Sequence, residues 1–172
     1  MVCASSKFFR AACSTRWKEG QEKIVRLPTV RPSVFDMYMD WIYLGEIARN
    51  VTTQLTAQLI ELYLLGDMLN DTNLRNETIA AFQAHSYKTR ATPSSSHIHR
   101  IWANTTEKSM LRKWAVDTIL VRARRSFANS ISEFPPECVQ QIALKLVQQP
   151  SNVSATDFLA KTQEYQEAVD EA

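Results

Sequence analysis

Catalysis needs titratable or nucleophilic side chains that converge, and few residues of this chain are spaced for it. His97 and His99 are the closest pair of metal-ligating types. Residues two apart point to opposite sides of a helix, and no cysteine lies near enough in sequence to complete a ligand set. His85 reads as a surface histidine of a helix. Cys3, Cys13 and Cys138 are odd in number and widely spaced, and none has a histidine in its context to activate it. They read as reduced thiols, which places the chain in the cytoplasm or the nucleus. Three glycines cannot build a phosphate-cradling loop. The expectation is therefore no catalytic residue, no metal, no cofactor and no enzymatic activity.

Two features remain that could bind a macromolecule. One is a basic helix over residues 108–125, with Arg112, Lys113, Arg122, Arg124 and Arg125. Residues 107–127 carry six Lys/Arg against two Asp/Glu, and residues 128–172 carry two against seven. Such a helix could meet DNA phosphates. It could equally be a solvated face whose terminal cations oppose the helix dipole, and the net charge of +2 gives no broad nucleic-acid footprint. The other feature is Trp17, which sits among Arg16, Lys18, Glu19 and Gly20 in a polar turn. A tryptophan there is either an interface anchor or a ring folded back on the preceding helix near Cys13.

The elements that carry these features are mostly helical. Val2 to Cys13 is a short helical stretch, and Lys23 to Leu27 offers the single convincing strand. Helices follow from Pro32 to Gly45 and from Leu55 to Leu69, and another begins after Asp71, a suitable N-cap. In the first of these, Phe35, Met39 and Ile42 form one stripe and Val34, Tyr38 and Trp41 form a second, which predicts burial between two layers. Phe9, Phe35, Trp41, Ile42, Leu62 and Leu65 are the expected core. Lys88 to His97 loses its periodicity and marks an exposed loop or boundary. Beyond it come a short helix at Ile98–Trp102, a longer one around Trp114, and one opened by Pro135-Pro136 whose Cys138, Ile142 and Leu146 share a face. Phe158, Thr162, Tyr165 and Val169 continue at helical spacing in the tail. No run of 18 apolar residues predicts a membrane span, and Lys7 and Arg10 interrupt any secretory signal.

A lone strand is a physical difficulty, because its unpaired N–H and C=O groups need partners. The motifs around it explain the difficulty. Val2-Cys3-Ala4-x-Ser6-x-Phe8-Phe9, then Trp17-Lys18-Glu19-Gly20, then Ile24-Val25-Arg26-Leu27-Pro28, resemble the BTB/POZ domain, above all its filamentous-fungal version. So do Phe35-x-x-Tyr38-x-x-Trp41-Ile42-Tyr43-x-Gly45-Glu46 and Leu62-x-x-Leu65-Gly66-Asp67-x-Leu69. Asn104 to Arg112 is similar to the helical extension behind that domain. The resemblance implies an α+β, predominantly helical fold: an N-terminally truncated BTB/POZ-like domain over 1–90, with a remnant β-strand, and a helical C-terminal extension over 91–172.

The same resemblance implies an intracellular, non-catalytic protein–protein interaction module, as in substrate adaptors of cullin-type ubiquitin ligases. Such adaptors touch the cullin through a hydrophobic-x-Glu motif, which Trp17-x-Glu19 matches. Protein partners, among them a cullin, are thus expected, with no membrane and no nucleic-acid partner. Self-association in the family uses the N-terminal region whose strands this chain lacks. The alternatives are a transcription-linked protein contacting DNA through 108–125, and a poorly folded truncated fragment.

Overall fold

A computed structural model describes residues 6–47, 55–122, 130–148 and 166–167. The chain divides into two compact units, residues 1–78 with 168–172 and residues 79–167.

In the first unit, α1 (Lys7–Ala12) starts where the Ser6 hydroxyl accepts a hydrogen bond from the Phe9 N–H at 3.1 Å. A turn leads to the five-residue α2 (Lys18–Glu22), which ends in a left-handed Lys23 at φ 56°. After an extended stretch, α3 (Pro32–Leu44) begins with proline in its first turn, where a missing N–H leaves no orphan donor, and stops at Gly45, φ 74°. α4 (Leu55–Met68) packs against α3. α5 (Thr72–Thr89) opens on Asp71, whose Oδ1 accepts from the Leu74 N–H at 3.0 Å. The Asp71 cap foreseen from sequence is therefore present.

The core of this unit departs from the expected one on α3. Phe9, Leu62 and Leu65 are buried as expected. On α3, however, Val34 and Tyr38 are the buried residues, and Phe35, Trp41 and Ile42 are half-buried. Tyr38 is the aromatic hub, stacked on Phe9 at 6.0 Å and on Trp41 at 6.1 Å between ring centroids. Apolar residues nearly encircle α3, so periodicity allows either stripe to face inward, and in the folded unit the Val34/Tyr38 side is the covered one, with Tyr38 against Phe9 of α1.

The expected strand is absent. Residues 24–27 form no strand, and no strand occurs among the described residues. Ile24, Val25 and Leu27 favour extended backbone, yet a strand exists only when a second one completes its ladder. The described part of the chain is helical rather than α+β.

In the second unit, α7 (Met110–Arg122) lies against both α6 (Ser95–Asn104) and α8 (Pro136–Gln148). It is buried on almost every side, with Leu111, Trp114, Ala115, Val116, Ile119 and Leu120 among its core residues. Trp114 packs on Phe82 of α5 at 4.5 Å. The loop expected over 88–97 shrinks to 90–94, since α5 runs on to Thr89 and α6 begins at Ser95. Ser94 is a helix cap: its hydroxyl accepts from the His97 N–H at 3.4 Å, and His97 Nδ1 accepts from the Ser94 N–H at 3.3 Å. That reciprocal pair is a capping box with histidine in the place usual for Glu or Gln.

On α8, Cys138 and Ile142 are buried, but Leu146, expected on the same face, is exposed. The tail residues Phe158, Thr162, Tyr165 and Val169 lie outside the described residues. Cys13 is disulfide-bonded, which corrects the expectation of three reduced thiols. Cys138 is free, and burial pushes its thiol up to about 12. No helix among the described residues is long and apolar enough to cross a membrane.

Candidate protein-interaction site

The turn between α1 and α2 is built tightly. The Trp17 N–H donates to the Ser14 carbonyl at 3.1 Å, and Gln21 Nε2 donates to the Thr15 carbonyl at 3.1 Å. The Trp17 carbonyl in turn accepts from Gly20 at 3.1 Å and Gln21 at 3.2 Å, which starts α2. Gly20 presses against the turn itself: a Cβ built there would stand 2.1 Å from the Ser14 carbonyl oxygen. Only a residue without a side chain lets the two backbones approach this closely. Gly20 thus fixes where Trp17 and Glu19 stand, a role that only the approach of the Ser14 carbonyl reveals.

Trp17 is 61% exposed and precedes the first residue of α2, so it does not fold back into the core. Its only capping contribution is through backbone, leaving the indole free of any structural duty at the helix start. Glu19, in the first turn of α2, is exposed, and its carboxylate has no hydrogen bond or ion pair among the described residues. Lys18, by contrast, is engaged with Glu22 one turn on, at 3.5 Å. Trp17 and Glu19 both line a groove of about 410 Å³ whose apolar floor includes Phe8, Ala11 and Ala12. Its far wall is the extended stretch, Ile24 to Arg26. The structure therefore brings the two sequence-derived site residues to one groove and adds exposed Ile24 to it, 48% accessible. A large apolar ring beside an uncommitted carboxylate, over a concave apolar floor, suits docking of a protein surface.

The basic helix behaves differently. Arg112 is buried in α7: its Nε donates to Thr105 Oγ1 at 3.0 Å, and its Nη2 donates to the Trp102 carbonyl at 2.7 Å and to the Thr105 carbonyl. These carbonyls lie at the C-terminal end of α6, where backbone acceptors lack helical partners. The guanidinium also sits 5.1 Å from the centroid of the Trp102 ring. Lys113 is half-buried and Arg122 likewise, and Arg124 and Arg125 lie outside the described residues. Asp117, buried on the same helix, is joined to Lys145 of α8. Arg112 is thus a core group tied to the end of α6, and it cannot reach a phosphate.

The histidines also have structural work. His97 belongs to the capping box, and His99 Nε2 lies 2.8 Å from the Glu133 carbonyl. The two do not converge, and no group of three metal-ligating side chains occurs among the described residues. Burial lowers the pKa of both His85 and His97.

A family model for the BTB/POZ domain matches residues 1–86, half of the chain. The chain belongs to the BTB/POZ family. The matched part of this BTB/POZ chain holds the whole groove, from Phe8 to Arg26, and ends within α5. BTB/POZ domains are protein–protein interaction modules that also self-associate, and they are generally not enzymes. No curated protein and no solved structure matches the chain.

Proposed function

We propose that this chain is a non-catalytic BTB/POZ interaction module that serves as a substrate adaptor for a cullin-type ubiquitin ligase, with Trp17 and Glu19 as its cullin contact. The observation that carries this reading is Trp17, 61% exposed at the lip of an apolar groove. Glu19 stands two residues on with an uncommitted carboxylate, and Gly20 fixes both. The pattern matches the hydrophobic-x-Glu motif of such adaptors. Tryptophan is enriched where interfaces concentrate their energy, because it removes a large apolar face from water with few rotatable bonds. The Glu19 carboxylate adds direction by accepting a charge-assisted hydrogen bond.

In this reading residues 1–90 form the BTB/POZ domain of filamentous-fungal type, and 91–172 form a helical extension that presents further surface to a substrate. Recovery of the chain on an immobilised cullin N-terminal domain tests it. Trp17→Ala is expected to lose about 2 kcal/mol or more of binding, a drop of roughly thirtyfold. Glu19→Ala is expected to lose less. Equal recovery of wild type and both variants, or recovery of none, ends the adaptor reading.

A further inference from the structure

A second groove, of about 350 Å³, lies along the contact between α7 and α8. None of its lining comes from the matched BTB/POZ part of the chain. Met110, Lys113 and Val116 of α7 supply one wall, at the three-residue spacing that keeps side chains on one side of a helix. Gln141, Leu144 and Lys145 of α8 supply the other, at i, i+3 and i+4. α8 is thereby apolar on two sides. Its Cys138 and Ile142 are buried, whereas Leu144 is 53% and Val147 87% exposed. Val147 comes three residues after Leu144 and extends that wall outward. Leu146 is exposed as well, but at two residues from Leu144 it points to the other side of the helix, away from the groove. Scattered apolar residues on a surface are ordinary; apolar residues that continue the wall of a concavity mark a docking place.

Charge sets this groove apart from the one beside Trp17. That one is lined by Lys18 and Arg26 with Glu19 and Glu22, two cations to two carboxylates. The α7–α8 groove is lined by Lys108, Lys113 and Lys145 with Glu107 alone. Asp117 is joined to Lys145, and counting it still leaves three cations to two carboxylates. Lys108 is exposed and makes no hydrogen bond or ion pair among the described residues, so its ammonium is available to a ligand.

We infer that this groove captures an acidic amphipathic helix of a partner protein, which in the adaptor reading is the substrate brought to the ligase. Such a helix carries apolar and charged rows side by side, as the groove does. Its apolar row lies against Met110, Val116 and Leu144, with Val147 at the lip. Carboxylates beside that row reach Lys108 and Lys113 and steer the approach. A basic helix meets the surplus cations and is rejected by like charge. The substrate role rests on the adaptor reading; the binding chemistry does not.

Fluorescence anisotropy on the full chain tests it, with two labelled helical peptides of about twenty residues. Both carry leucine at i, i+3, i+4 and i+7; one is flanked by glutamate and the other by lysine. The expected result is saturable binding of the glutamate peptide, about tenfold or more tighter than the lysine peptide. Leu144→Asp and Lys108→Glu are each expected to weaken it by about tenfold. Leu146→Asp, on the other side of α8, is expected to leave it unchanged, with thermal unfolding confirming that each variant folds. Recovery on the cullin is expected to be the same for Leu144→Asp as for wild type. No saturable binding, equal affinity for the two peptides, or indifference to both Leu144→Asp and Lys108→Glu overturns the inference. A peptide of residues 149–172 that displaces the glutamate peptide at lower concentration makes the chain's own tail the occupant, and overturns it too. Loss of cullin recovery in Leu144→Asp assigns the groove to the cullin and overturns the substrate role. Glutamate-peptide binding by a wild type that the cullin does not recover ends the adaptor reading and the substrate role with it, and upholds the groove's preference for an acidic helix.

Discussion

Two regions of the molecule use the same residue types for opposite ends. On α7, a tryptophan and an arginine are buried: Trp114 is 2% exposed, and Arg112 spends its guanidinium on two backbone carbonyls, a hydroxyl and a ring face. Between α1 and residue 27, Trp17 and Arg26 are exposed, and α2 contains no buried residue. The difference lies in neighbours. α7 is contacted by α6 and α8 at once, so its polar groups must find partners inside. The α2 region borders an open groove, so its apolar and charged groups remain available to another molecule.

The largest expected effect falls on the buried side of this contrast. Arg112→Ala leaves the carbonyls of Trp102 and Thr105 without their donor in a covered site, and removes the cation from the Trp102 face. A loss of about 3 kcal/mol or more is expected from chemical denaturation. A loss near 0.5 kcal/mol would show that Arg112 is as dispensable as a surface cation, and the contrast between the regions would break.

Next comes the choice of stripe on α3. Tyr38→Ala is expected to cost about 3–5 kcal/mol, since its ring is 0% exposed between Phe9 and Trp41. Trp41→Ala, at a half-buried position, is expected to cost clearly less. The reverse order would return the core to the stripe read from sequence.

The smallest effect concerns pH. Burial holds the His97 pKa below the ordinary 6.5, so the unfolded chain binds this proton more readily than the folded one. His97 therefore favours the folded state fully above pH 6.5, and that contribution falls as pH drops through 6.5 towards the lower folded value. His97→Gln keeps an acceptor for the Ser94 N–H and removes the titration. Its melting temperature is expected to fall less than that of wild type between pH 7 and pH 5. Parallel profiles would mean that His97 does not sense pH through its cap.

Much of the local architecture was legible in the residues. Pro32, Gly45 and Asp71 act through their own backbone chemistry, so their positions mark helix ends wherever the helices later pack. Trp17 was legible as an exception because a large apolar ring in a charged turn has few reasons to be there. Ser94 and His97 were not read as a cap, because a run of serines with a histidine resembles a loop until the reciprocal hydrogen bonds are seen. The role of Gly20 depends on how near the Ser14 carbonyl comes, which local spacing does not specify.

The sequence by itself determined a helical chain, its helix termini, its family resemblance and the two residues worth testing at the groove. These follow from periodicity, capping chemistry and motif order, all of which act over a few residues. Tertiary structure alone decided which stripe of α3 faces inward, that Arg112 is a core group rather than a DNA contact, and that Ile24–Leu27 forms no strand among the described residues. Each of these depends on what lies across from a residue, and opposition in space between distant segments is not written in local spacing.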